Sequence, residues 1–303
     1  MDDKLLSKDD IKIIKGRRFL PNEWFNDKEK NSSNNPKVVV FDLDETLGSF
    51  ADLYILWRGV KKVWSNFEDF SRLFDLYPEF LRYGILTILE YLYFCKTKQI
   101  CNKIFVYTNN QCSVTWVKHI CSYIENKVKD RFTKNSLPLF DQYICAFKIN
   151  NKQIETNRTT HKKTLDDLFC CTKISNNADI CFVDDVEYPA MKGSAVYYIC
   201  PRVYIHGLST RTIINRVIHA NWKYKNMLLQ SKEFWNSWFL INKKRMTRRG
   251  NPDISIDLQV SKKMIHHLSE FLHYEKKKKR ISNHTQKNRK LSTNRTKKKR
   301  SIM

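Results

Sequence analysis

Three short apolar runs, each closing on polar residues, constrain this chain more than any other feature. KVVVF (37–41) runs into Asp42 and Asp44, KIFVY (103–107) into Thr108, and DICFV (179–183) into Asp184 and Asp185. Runs this short and apolar, rich in β-branched residues and without alternation, predict strands buried on both faces. Helical spacing occurs between them: over 78–95, over 113–128 (Val114, Val117, Ile120, Cys121, Ile124) and over 161–170 (Leu165, Leu168, Phe169). Strands alternating with helices predict an α/β fold, a parallel sheet with helices on both faces. Ligands of such sheets bind at the carboxyl ends of the strands. The polar residues that end the three runs, far apart in sequence, are therefore expected to converge on one pocket.

The remaining segments read more coarsely. Residues 1–36 form a polar N-terminal leader, and 51–77 are aromatic-rich and irregular. Residues 140–149 and 195–205 resemble further strands. Residues 211–245 make a long aromatic helix or helix pair, with Trp222, Phe234, Trp235 and Trp238 read as packing residues. Residues 260–274 make a last helix. The expected division is a leader (1–36), a catalytic domain (37–210), a helical extension (211–275) and a basic, disordered tail (276–303). The charge excess falls largely on that tail. The chain has 55 Lys+Arg against 31 Asp+Glu, a net +24, and 13 of those basic residues lie between Lys276 and Arg300, where no acid occurs. Such a run reads as a localisation signal or a nucleic-acid contact. The nine cysteines are odd in number, lack CxxC spacing and sit mostly in apolar runs. They read as reduced, buried thiols of a cytoplasmic or nuclear protein. No signal peptide or membrane span is expected: MDDKLLSKDD is acidic, and the most apolar long stretch, 84–95, is short and contains Glu90.

VVVFDLDETL (38–47) resembles the first motif of the haloacid-dehalogenase (HAD) superfamily, DxDxT after an apolar strand. FVYTNN (105–110) resembles its second motif, the lysine of HKKTLDDL (161–168) its third, and ICFVDD (180–185) its fourth. All four occur in the family's order. The wording DLDETL is similar to the branch of RNA-polymerase C-terminal-domain and NLI-interacting-factor-like phosphatases, and to predicted phosphatases of large DNA viruses. The pair Asp184-Asp185 differs from the Asp-Asn usual in the eukaryotic branch. The resemblance implies a HAD-like Rossmannoid sheet with a minimal cap, because only about 30 residues separate Thr46 from the helix near Pro78, enough for a hairpin or small lid. Tyr54, Trp57 and Trp64 lie there and read as entrance or core residues.

The resemblance also implies a chemistry. An attacking carboxylate is repelled by a phosphoryl group unless a cation screens it, and Mg²⁺ prefers oxygen ligands. Asp42 is then the nucleophile that forms an aspartyl-phosphate, and Asp44 the acid and base. Thr108, Asn109 and Lys163 would hold phosphoryl oxygens, with Lys162 competing for the lysine role. Asp42, Asp184, the Asp44 backbone carbonyl and Asp185 (as a ligand or as an acceptor behind one) would hold the metal. His161 reads as a solvated loop residue. Arg158 reads as a surface charge, with substrate phosphate as its alternative. The expected activity is Mg²⁺-dependent hydrolysis of phosphoserine or phosphothreonine in a protein. Its rivals are a nucleic-acid end phosphatase, motivated by the charge, and a catalytically silent nucleic-acid-binding protein with the same fold. The sequence leaves the oligomeric state open.

Overall fold

The three apolar runs fold as strands over the expected residues: β2 (Lys37–Phe41), β3 (Lys103–Tyr107) and β7 (Asp179–Val183). The computed structural model describes residues 6–20, 35–132, 136–220, 222, 227–243 and 252–274. The basic tail at 276–303 lies outside them. β2 pairs in parallel with β3 on one side and β7 on the other. β4 (Gln142–Ile144) extends the sheet in parallel beyond β3, and β8 (Val196–Pro201) does so beyond β7. From β2 the chain thus builds outward through β3 and β4, then returns to the opposite side of β2. The order reverses at β2, which puts a crevice at its carboxyl end.

Alternate strand residues serve two cores. Val39, Phe41, Ile104, Val106, Cys181 and Val183 join the larger one. Helices α1 (Ala51–Val63), α2 (Phe70–Asp75), α3 (Ile85–Thr97), α4 (Val114–Lys129), α6 (Thr210–His219) and α7 (Lys232–Lys243) and a helix over 254–274 (α8) bury side chains there. Val38, Val40, Phe105, Tyr107, Ile180 and Phe182 face the smaller one, beneath α5 (Leu165–Thr172), which contributes Leu168 and Cys171. Ile213, Val217, Trp235, Phe239, Met264, Leu268 and Phe271 lie in the same cluster as the strand residues, so the C-terminal helices complete the core.

Several expectations are corrected. The N-terminal leader contributes β1 (Ile11–Lys15), which pairs antiparallel with β8 and closes that edge of the sheet. The segment 51–77 is neither irregular nor a hairpin. Leu53, Leu56 and Val60 give α1 a buried stripe, and the Asp69 carboxylate caps α2 by accepting from the Arg72 amide at 2.9 Å. The aromatic residues interleaved with that stripe hid its period. Trp57 packs on Phe67, Phe70 and His119, and Trp64 on Phe67, so both are packing residues. Pro78 opens a short 3-10 turn, and α3 begins only after Gly84, whose φ of 78° is left-handed. The strand expected over 140–149 shrinks to β4. It is followed by a separate hairpin of β5 (Lys148–Ile149) and β6 (Lys152–Gln153), turned by Asn150 and Asn151 at φ 50° and 63°. No two of the nine cysteines are joined in a disulfide, and most are buried. Among the described residues no helix is long and apolar enough to cross a membrane.

Two contacts fix the C-terminal helices. In α7, Trp235 and Trp238 close over Gly59 of α1, where an added Cβ would meet the Trp235 ring at 2.5 Å. Alanine gains about 0.5–1 kcal/mol over glycine inside a helix, whereas overpacking costs about 1–3 kcal/mol. Gly59→Ala is expected to destabilise by about 1–2 kcal/mol net, read by urea denaturation. In α8, Glu270 accepts from Lys15 Nζ and Tyr197 Oη, both at 2.7 Å, and lies 3.2 Å from His267 Nδ1. Burial pushes its carboxyl up, but Lys15, Tyr197 and His267 outweigh it and hold it at about 2. A depressed carboxylate stabilises above its unfolded pKa, about 4.3, and loses that contribution as pH falls toward 2. The melting temperatures of wild type and Glu270→Gln should therefore differ at pH 6 and converge as pH falls toward 2.

Candidate active site

At the carboxyl ends of β2, β3 and β7 the expected residues meet. Asp42, Asp44, Thr108, Asn109, Lys163, Asp184 and Asp185 all line one open cavity of about 420 Å³. Asp42 follows β2, and its amide donates to Val183 O at 2.8 Å, which keeps it beside the end of β7. Lys163 precedes the Thr164 cap of α5, whose side chain accepts from the Asp167 amide. The lysine is buried, and its ammonium donates to Asp42 Oδ1 and, at 2.6 Å, to Asp184 Oδ2. The rings of Tyr107, Phe182 and Tyr188 surround the ammonium, with centroids 5.4 to 5.9 Å away. Burial lowers the pKa of such an amine, but Asp42 and Asp184 outweigh it and hold Lys163 above its ordinary value. Lys162 is exposed, as is His161, so the structure assigns the site lysine to Lys163.

The acidic groups divide by their partners. Asp184 also accepts from the Val186 amide at 2.9 Å. Asp185 Oδ1 accepts from the Thr46 hydroxyl at 2.8 Å, and the Thr46 oxygen accepts from the Asp185 amide at 2.9 Å, which ties the loop after β2 to the loop after β7. Asp44 stands apart: its Oδ2 accepts from Asn110 Nδ2 at 2.8 Å. Burial, then the Asp42 charge, push its carboxyl up to about 7. Burial and the neighbouring carboxylates also raise Asp184 and Asp185. Thr108 is buried, and its Oγ1 accepts from the Asn110 amide at 3.0 Å. Asn109 donates to Tyr188 Oη at 3.2 Å.

Carboxylate oxygens of Asp42, Asp184 and Asp185 lie within 4.8 Å of one another, and the three could hold a metal ion. Three carboxylates against one ammonium leave negative charge in a largely buried place, and the donors are all hard oxygens. That set fits a small divalent cation. The Asp44 carboxylate is outside the cluster. His266, His267 and Glu270 of α8 also gather closely, but Glu270 is already engaged by Lys15 and Tyr197.

Four further residues also shape the site. Thr46 and Asn110 stand inside the quoted motifs. Arg82 and Arg158 are both fully buried. Arg82 donates to Thr46 O at 2.7 Å, Glu45 O at 2.6 Å and Arg202 O at 2.8 Å, and so grips the loop after β2, where Glu45 adopts φ 59°. Burial lowers the Arg82 guanidinium to about 10. Its place in the apolar run EFLRYG was the available signal. The surface-charge reading of Arg158 is overturned: the side chain is 1% exposed, beneath the loops that carry Thr108 and Lys163. Nothing in NRTTHKK separates it from its solvated basic neighbours.

Searches against protein-family models, curated proteins and solved structures found no match to this chain.

The Lys163 contact is itself testable. Breaking a buried ion pair by removing one partner costs about 3–5 kcal/mol. Here Asp184, already raised by burial, can take up a proton and soften the loss. Lys163→Met is therefore expected to destabilise the metal-free protein by about 3 kcal/mol at pH 7, measured by chemical denaturation.

Proposed function

We propose that this chain is a HAD-type phosphatase that hydrolyses phosphomonoesters with Mg²⁺ through an aspartyl-phosphate on Asp42, and that its substrate is phosphoserine or phosphothreonine in a protein. The observation that carries this reading is the convergence of Asp42, Lys163, Asp184 and Asp185 at the switch point of the sheet, with Asp44 alongside on Asn110.

Asp42, Asp184 and Asp185 would hold Mg²⁺, with the Asp44 carbonyl as the further ligand that the resemblance implies. Bound there, the ion screens the charge between carboxylate and phosphoryl group and supports negative charge on the phosphoryl oxygens. Lys163 holds Asp42 Oδ1, which leaves Oδ2 to attack phosphorus while the bond to the substrate oxygen breaks. Asp44 protonates that leaving oxygen. It then takes a proton from the water that attacks the aspartyl-phosphate, and orthophosphate and Asp42 are released. The Asn110 amide keeps the Asp44 carboxyl oriented for both transfers. The Lys163 ammonium offsets charge on the transferring group, and the Thr108 hydroxyl and Asn109 amide offer further hydrogen bonds to it.

The surroundings favour a protein substrate over a nucleic-acid end. Among the described residues Lys163 is the sole Lys or Arg that lines the cavity, and its wall includes Phe50, Tyr54 and Trp116. A polyanion gains affinity from basic groups that track its backbone, whereas the rest of this described lining is acidic, apolar or uncharged.

Turnover of p-nitrophenyl phosphate should require Mg²⁺ and stop with a chelator. Asp42→Asn should lower kcat on the order of 10³-fold or more, as loss of a nucleophile does. Phosphopeptides should be turned over faster than phosphorylated oligonucleotides. Chelator-resistant turnover, or an Asp42→Asn variant with wild-type activity, would sink the mechanism. A preference for oligonucleotides would overturn the substrate class.

A further inference from the structure

We infer that Arg158 is a positioning residue of this site, one that fixes the Thr108–Asn109 turn and Lys163 relative to each other; the inference rests on the phosphatase reading for what those groups hold. The guanidinium spans three segments. Nη1 donates to Thr108 O at 3.1 Å and to Cys145 O at 2.8 Å, at the ends of β3 and β4. Nη2 donates to Asn109 Oδ1 at 2.8 Å and to His161 O at 3.3 Å, with Lys162 O at 3.5 Å. Its plane lies over the Tyr107 ring, 4.8 Å from the centroid.

The acceptors define its role. All of them are uncharged oxygens, and among the described residues no carboxylate pairs with Arg158. Burying a guanidinium is costly, and here the charge does not neutralise an acid. The geometry uses the planar fork, whose donors lie in fixed directions. Two of the gripped carbonyls, His161 and Lys162, immediately precede Lys163. Thr108 and Asn109 are the residues expected to touch the phosphoryl group. One side chain thus couples a lysine reached from α5 to a turn reached from β3. The same loop is pinned once more where the Thr159 amide and hydroxyl donate to Asp167 Oδ1. That second tie holds the start of the loop, while Arg158 sets its far end against the sheet. Arg158 touches none of Asp42, Asp44, Asp184 or Asp185, so it acts through the residues that it holds.

The test compares wild type, Arg158→Met and Arg158→Lys as full-length proteins, by kinetics on p-nitrophenyl phosphate with Mg²⁺ and by amide hydrogen exchange. A misplaced group costs about 10²-fold in rate. Both variants should lose about 10–100-fold in kcat with KM within about twofold, since a lysine cannot reproduce the fork. Exchange should quicken at the amides of Thr108, Asn110, Lys162 and Thr164, with β2 and β7 unchanged. A residue that only stabilises the fold would lower the melting temperature and leave the kcat of the folded fraction intact, which would overturn the inference. Unchanged exchange at those four amides would overturn it too. Arg158→Lys keeps the test open if Arg158→Met does not fold. If wild type shows no Mg²⁺-dependent turnover, the phosphatase reading fails, and the exchange comparison alone decides whether Arg158 sets these loops.

Discussion

The contact on which the site depends is one ammonium held between two carboxylates. Asp42, Asp44, Glu45, Asp184 and Asp185 crowd the carboxyl end of β2, and Lys163 is the positive group inside the cavity they line. Burial works against every charge there, so the arrangement persists through the partners that the aspartates find. Four of the five acids have one: Asp42 and Asp184 have the lysine, Asp185 has the Thr46 hydroxyl and Asp44 has the Asn110 amide, while burial and the neighbouring acids push the Glu45 carboxyl up to about 8. The sheet topology makes this crowding possible, since reversal at β2 brings β3 and β7 to its two sides.

Two further cations act on the backbone instead of on acids. Arg82 and Arg158 are sunk beneath the loops after β2 and β3, and each donates to carbonyls of several segments. Loops at the mouth of a sheet leave carbonyls without strand partners, and buried carbonyls need donors. A guanidinium satisfies several at once with fixed geometry. The loops that bear the site are therefore tied to the body of the protein from below, which leaves their upper surface open to solvent and ligand.

Much of this was legible in the residues. β2, β3 and β7 follow the apolar runs to the residue, because strands buried on both faces leave no alternation to misread. Their polar ends identified the cavity-lining acids for the same reason. HKKTLDDL leaves Lys162 and Lys163 in competition, and the fold separates them by burying Lys163 and exposing Lys162. Arg82, Thr46 and Asn110 escaped a role, and Arg158 was read as a surface charge, because their contacts join segments far apart in the chain, and no local period encodes such a contact. The edge strand β1 was missed because it owes its conformation to pairing with β8 rather than to its own pattern. Helix α1 was missed because the half-buried Tyr54 and Trp57 stand between the residues of its buried stripe and blur its period.

The two faces of the sheet are covered unequally. One carries most of the helices and the larger core, while the other is closed chiefly by α5 and a smaller cluster around Leu168 and Cys171. Proteins open in cooperative units, and the unit with the least buried apolar surface opens at the lowest free energy. The helix that closes the thinner face, α5, is capped by Thr164, the residue after Lys163. A transient lifting of α5 would carry the ammonium away from Asp42 and Asp184 while β2, β3 and the larger core stayed folded. In that state the chain would be intact in shape, with the Lys163 ammonium withdrawn from its acidic cavity.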